Sequence, residues 1–292
     1  MKLYKYLRPD RIDVITNLEL RFTQPGALND PFELRPQFQS LISEAQLLAG
    51  LAQAPLDLGP RLREAYDMLP AAERGQIPFE TAATLINTFL STQEMRAMVS
   101  ATAVNLFREM APELTQRFQE QLHAALNANV GILSLSEVPD DDVMWAHYAD
   151  KHHGMVLGFD KAHAFFNRRR SENDDFYYPR KVIYRDLLPA PSAADVDPDA
   201  PLVTKGAKWA YEREWRMLAP LKDASRRCET PEGDIVYLYS FPPQALTNVI
   251  LGARATSALE ESIRSALSQP NLQQVSLSRA RLDIEGCRVV VE

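Results

Sequence analysis

A chain of 292 residues with 46% apolar side chains can bury a full core as one large domain or two modest ones, which excludes a disordered protein. Its 32 lysines and arginines against 39 aspartates and glutamates give a net charge of −7, which argues against non-specific phosphate-backbone binding as the main activity. No apolar run of about 18 residues occurs, the N-terminal stretch is too short and interrupted for a signal peptide, and Cys228 and Cys287 have neither disulfide nor zinc-site spacing, so the chain reads as cytoplasmic, with no membrane span and no metal.

Residues 3–6 are short, aromatic and strand-like, 11–17 suit a helix, and 18–22 alternate apolar and polar side chains as a half-buried strand does. Tyr4 and Tyr6 share the face opposite Lys5, which suits an aromatic wall in a cleft or plain core packing. In Asn29-Asp30-Pro31-Phe32-Glu33, proline holds Asp30 out of the α region and predicts a fixed loop. Asn29 and Asp30 are then site groups or the makers of an Asx turn. From 38 to 128 the pattern is helical, with breaks at Pro55, Pro60, Pro70, 75–78 and Pro112. This predicts four or five helices, a subdomain or lid inserted into a β-rich core made of 1–37 and 129–292.

After the insertion, 131–136 reads as a strand, 140–150 as a helix and 153–159 as a further strand. The triplet Asp140-Asp141-Asp142 reads as helix capping, because successive helical residues diverge by about 100° and do not chelate one ion together. Helical spacing puts His147 with Val143 and Met144 on an inward face, as a core histidine or, beside Tyr148, as part of a pocket for a nucleotide-like ligand. His152 and His153 read as helix-end residues, and the basic run 167–170 as solvated. Further strands are predicted at 181–184, 211–218, 235–240, 248–251 and 275–277, with a proline-rich loop at 189–201, a helix at 256–268, and 281–291 closing the chain.

The densest constellation is the stretch from Trp209 to Leu218. Strand alternation there sends Glu212, Glu214 and Arg216 to one face, and Tyr211, Arg213, Trp215 and Met217 to the other. Either the charges are solvated on a half-exposed strand, or a carboxylate pair kept ionised by Arg216 acts on a ribose hydroxyl or as a general base. Walker A, G-x-G-x-x-G, G-x-S-x-G and H-E-x-x-H motifs are absent.

Taken together, Leu3-Tyr4-Lys5-Tyr6, the segment from Leu20 to Glu33, Met144 to Asp150 followed by Gly154, and Tyr211-Glu212-Arg213-Glu214-Trp215-Arg216 resemble the domain of unknown function 2971 family, leaving 38–128 uncovered. More distantly, the element order is similar to that of the ADP-ribosyltransferase superfamily, whose split β-sheet holds NAD in a cleft. That resemblance implies an α+β fold with a split or mixed β-sheet core and an inserted all-helical subdomain. It implies an enzyme using NAD as substrate, with a protein or nucleic-acid acceptor, in the role of a toxin or phage-defence effector. Glu214 would be the catalytic glutamate, Glu212 its helper and Arg216 their anchor. Tyr4, Tyr6, His147 and Tyr148 would line the nucleotide pocket, and Asn29 and Asp30 would close it. The first strand departs from the superfamily in carrying Lys5 where such enzymes have His or Arg. Two other classes stay open: a non-catalytic module that binds a protein through an exposed apolar patch of the helical block, and a metal-dependent nuclease, which needs converging carboxylates.

Overall fold

In a computed structural model, which describes the chain apart from residues 36, 37, 54–58, 173, 187, 188, 197–199 and 292, alternation sets the first strand, β1 (Lys2–Leu7). Its Leu3 and Leu7 face the main core, while Tyr4 and Tyr6 pack on the opposite side. A short helix, α1 (Asp13–Asn17), ends at left-handed Leu18 and leads into β2 (Glu19–Phe22), whose Leu20 and Phe22 join the same core. Five helices follow among the described residues: α2 (Glu44–Gln53), α3 (Gly59–Asp67), α4 (Ala71–Arg74), α5 (Phe79–Leu90) and α6 (Gln93–Asn129). Pro60, Pro70 and Pro78 stand at helix starts, where a missing N–H costs nothing. The break expected at Pro112 does not occur: α6 continues through it, forfeiting one backbone hydrogen bond. The break expected at Pro55 lies outside the described residues.

The remaining strands are β3 (Val130–Ser136), β4 (Met155–Asp160), β5 (Pro179–Lys181), β6 (Ile183–Arg185), β7 (Thr204–Gly206), β8 (Glu214–Pro220), β9 (Arg226–Glu229), β10 (Ile235–Ser240), β11 (Leu246–Leu251), β12 (Ser276–Arg279), β13 (Arg281–Asp283) and β14 (Arg288–Val290). Between them lie α7 (Asp142–Tyr148), the single turn α8 (Ala200–Val203) and α9 (Ser257–Leu267). The single strand expected at 181–184 is two, parted at Val182: β5 pairs with β8, and β6 with β7. The expected loop at 189–201 holds a 3-10 turn at Ala193–Asp195 and the start of α8. The basic run 167–170 is exposed, with Arg168 over the rings of Phe165 and Tyr177 and Arg169 over that of Tyr178.

The protein is thus α+β with a mixed sheet. Seven strands run in the order β12-β11-β4-β1-β3-β8-β5, antiparallel except for the β11–β12 pair. On one face, α1 and α9 cover the larger core through Val14, Ile15, Leu259 and Ile263. On the other face, α7 lays Met144 and Trp145 against Tyr6, Val156 and Ile250. Asp141 caps α7 by accepting from the Met144 N–H at 2.9 Å. The helix gives way to three left-handed residues, Asp150, Lys151 and His152, and the His152 ring stacks on Trp145. Gly154 then passes so close to β1 that a Cβ there would stand 2.1 Å from the Leu7 carbonyl oxygen.

At the centre of this sheet β1 and β3 pair only at Tyr4↔Ser136. Four residues back along β3, the strand has exchanged partners: Thr23, just past β2, bonds Ile132 through both backbone groups at 2.8 and 2.9 Å. β2 itself belongs to a second, three-stranded sheet in the order β2-β10-β9. A gap therefore opens beside Ser134.

The chain divides into two units, one of residues 1–36, 120–188 and 197–292, the other of 37–119 and 189–196. Within the second, the Tyr66 hydroxyl donates to the carbonyls of Arg74 and Ile77, its ring meets Phe79 edge-on, and Arg108 pairs with Glu44 at 2.5 Å. Several large apolar side chains of that unit, among them Leu85, Phe89, Met98 and Leu106, are more than half exposed. No helix among the described residues is long and apolar enough to cross a membrane.

Candidate functional site

β8 begins later than its alternation predicts. Ala207–Glu212 form a 3-10 turn, Arg213 sits in the left-handed region at φ 43°, and extended backbone starts only at Glu214. From there the pleat holds: Glu214 and Arg216 share one face, while Met217 enters the core opposite and Trp215 donates from Nε1 to Glu137 at 2.8 Å. Glu212 reaches the side of Glu214 and Arg216 by the turn at Arg213, not by strand alternation. Ser136 anchors that turn, its hydroxyl donating to the Glu212 carbonyl at 2.7 Å.

Five charged side chains meet there, all buried. Lys205, from β7, donates to Glu212 at 2.6 Å and to Glu214 at 3.2 Å, and lies 3.6 Å from Glu33. Arg216 grips Glu214 with two parallel bonds of 2.9 and 3.0 Å, donates to the Leu202 carbonyl at 3.1 Å, and pairs with Glu33. The Tyr148 hydroxyl donates to Glu212 Oε1 at 2.6 Å, and the Asn29 side chain hydrogen-bonds that same hydroxyl. Three carboxylates against two cations leave one negative charge when all are ionised.

Burial lifts the Glu214 carboxyl above its ordinary range, with Lys205 opposing the lift and Glu212 adding to it. Burial also works against the Lys205 ammonium, but the Glu214 and Glu212 carboxylates outweigh it and raise its pKa. Arg216 is drawn down to about 9 by burial, which leaves it protonated at neutral pH. Burial, followed by the adjacent Glu212 charge, pushes the Tyr148 hydroxyl well up, so it remains a donor.

The cluster forms one wall of a cleft of about 250 Å³ at the split between β1 and β3. Of the residues expected to build a site, Tyr4, Tyr6, Asn29, Tyr148, Glu212 and Glu214 line this cleft. Tyr6 serves the core as well, edge-on to Trp145 with its hydroxyl on the Val138 carbonyl. Arg216 is fully buried behind Glu214. Asp30 does not reach the cleft: its carboxylate accepts from the Phe32 N–H, as an Asx turn does, and from Trp209 Nε1 at 2.6 Å. His147 is exposed, contrary to its expected inward face, with Nδ1 3.2 Å from the Tyr211 hydroxyl. The bulk of Trp145 claims the buried side of so short a helix and rotates His147 outward.

Arg21 and Lys205 line the cleft without having been singled out from sequence, and so do Lys5 and Glu33, which were named there but not assigned to a site. Glu33 ends a motif of which only the first two members were assigned a role. Lys205 lies in a stretch, Thr-Lys-Gly-Ala-Lys, with no periodic signal. Among the described residues no group of three or more His, Cys, Asp or Glu side chains is placed to hold a metal ion. The three glutamates turn to Lys205 and Arg216 instead.

Half-buried Lys5 is drawn down to about 8, by burial first; Arg11 and Arg21 push the same way, while Glu214 and Glu212 oppose. Above pH 8 the folded chain releases a proton that unfolded Lys5, with its ordinary value of 10.5, still holds. Stability should therefore rise with pH across that window through this group. Lys5→Met should be the more stable protein at pH 7 by up to about 3 kcal/mol and lose that advantage by pH 10. Urea unfolding of both proteins at several pH values reads this directly; a pH-independent difference would show that the amine is solvated.

No curated protein and no solved structure matches the chain. One family does, over residues 144–217, about a quarter of the chain, a stretch that holds Tyr148, Lys205, Glu212, Glu214 and Arg216 but neither β1 nor the 29–33 loop. Over that segment the chain is similar to the family described as protein of unknown function (DUF2971).

Proposed function

We propose that the cleft binds a nucleotide, with NAD as substrate, and that the protein is a transferase of the ADP-ribosyltransferase type. The observation that carries this reading is the placement of Glu212, held by Tyr148 and Lys205, on a tyrosine-walled cleft at the split of the sheet. In such a reaction the bond between the nicotinamide nitrogen and ribose C1′ breaks, and its electron pair leaves with nicotinamide. The acceptor then bonds to C1′ and gives up its proton. Positive charge develops on the ribose between these events, and a fixed carboxylate stabilises it.

The geometry favours a division of labour different from the one alternation suggests. Both Glu214 oxygens are gripped by the guanidinium of Arg216, with Lys205 on one of them, whereas Glu212 is held by Lys205 on one oxygen and on the other by Tyr148, itself a wall of the cleft. Glu212 is then the carboxylate that meets the ribose, and Glu214 fixes the frame around it. A cleft of about 250 Å³ lies below the roughly 300–1,000 Å³ of sites that enclose a whole ligand, so it takes the nicotinamide-ribose end and leaves the adenosine outside. A protein or nucleic-acid acceptor, and a role as toxin or phage-defence effector, rest on the resemblance alone.

Calorimetric and thermal-shift titration with NAD, ADP-ribose and ATP, together with assay of released nicotinamide, tests the reading. NAD or ADP-ribose at 100 times its dissociation constant should add about 2.7 kcal/mol to stability. No binding of any of the three and no nicotinamide release would overturn it. A second reading, protein binding by the helical unit, is favoured by the exposed Leu85, Phe89 and Leu106 and needs no intact cleft.

A further inference from the structure

Two cations line the cleft outside the glutamate cluster, Lys5 and Arg21; acids act on them only through space, and neither forms an ion pair among the described residues. Lys5 Nζ reaches into the gap beside Ser134 and donates to its carbonyl at 2.9 Å, and it forms no ion pair among the described residues. Arg21, on β2, has its Nε buried without a hydrogen-bond partner. Its strand neighbour Glu19 is committed to Arg226, and Asp234 acts on Arg21 only through space. Both side chains line the same cleft, at the place where β1 and β2 diverge along β3.

Partly buried cations of like sign in one recess repel each other and have given up hydration, so an arrangement of this kind costs stability unless something repays it. A bound anion does so, and most effectively where donors remain free to point at it. Glutamates of the cluster cannot fill that role, since Lys205 and Arg216 already hold them. We infer that Lys5 and Arg21 form an anion subsite that takes a phosphate of the ligand, so that one cleft offers a cationic end for phosphate and an anionic end, at Glu212, for the sugar. That the phosphate belongs to a nucleotide rests on the proposed function; the anion subsite itself does not.

The test uses the full-length chain and three probes: inorganic pyrophosphate, ADP-ribose and the unphosphorylated nicotinamide riboside. Calorimetry at low salt on the unsubstituted protein, Lys5→Met and Arg21→Met should show pyrophosphate and ADP-ribose weakened by about tenfold or more in each variant. Affinity for the riboside should change by less than about twofold. Arg21 lies on a half-exposed strand position, so Arg21→Met tests the subsite independently of Lys5→Met. Pyrophosphate binding that depends on both cations supports the subsite even if NAD is never turned over, an outcome that would sink the transferase reading alone. Nicotinamide release with an unchanged KM for NAD in both variants would overturn the subsite and leave the transferase reading standing. Absence of any pyrophosphate binding to the unsubstituted protein would overturn the subsite as well.

Discussion

Replacing Arg216 with methionine should destabilise the protein by about 3–5 kcal/mol, the cost of removing one partner from a buried ion pair. The guanidinium is fully buried and pairs with Glu33 and Glu214 at once, so its loss leaves three carboxylates to share Lys205. Against a total of about 5–15 kcal/mol for an ordinary domain, that is a large fraction. Two controls identify the cause. Lowering the pH should shrink the deficit, because buried carboxylates protonate more readily without the guanidinium than with it. Combining Arg216→Met with Glu214→Leu should recover much of the loss, since an apolar pair of similar volume carries no desolvated charge. Urea midpoints at constant slope give all three values. A deficit below about 1 kcal/mol would mean that water reaches the cluster.

Glu212→Gln should lower kcat for nicotinamide release by about 10²–10³-fold while leaving KM for NAD little changed, as expected for a group whose charge matters most when the ribose is cationic. Glutamine keeps the shape and can still accept from Tyr148, and Lys205 retains Glu214, so the fold should survive. Glu214→Gln breaks the two-bond grip of Arg216 and should act chiefly on stability. The informative quantity is the ratio of lost activity to lost stability in the two variants. Were Glu214→Gln to abolish turnover at an unchanged melting temperature, with Glu212→Gln still active, the roles assigned to the two glutamates would be reversed.

Tyr4 and Tyr6 were legible because a six-residue strand with leucines at both ends of one face, Leu3 and Leu7, leaves the tyrosines the other. Glu214 and Arg216 were placed on one face by the same rule, and Asp141 as a cap by its position before an amphipathic run. The failures have physical causes of equal simplicity. Tyr211 to Met217 alternates cleanly, but a left-handed arginine at 213 interrupts the strand, and nothing in a non-glycine residue announces that conformation. His147 has the spacing of an inward residue, yet on a seven-residue helix a single tryptophan decides which side is buried. Lys205 and Glu33 belong to segments whose shape is dictated by distant partners, so their meeting with residues 212–216 is a property of the tertiary structure and leaves no local trace. Pro112 is tolerated inside a helix of 37 residues because one missing hydrogen bond is a small part of its ladder.

The order in which the cluster's members leave the ribosome has a consequence of its own. Glu33 and β1 are synthesised early, but the cations that neutralise Glu33, Lys205 and Arg216, come only after the whole stretch 37–119 and the strands that flank β1 have been made. Until then Glu33 must remain hydrated, because burying the carboxylate unpaired is prohibitive. The cleft consequently cannot be assembled on a nascent chain shorter than about 220 residues, and its closure depends on contacts far apart in sequence, which form slowly. A translation product that stops before Arg216 lacks a cation the cluster needs and has no assembled site.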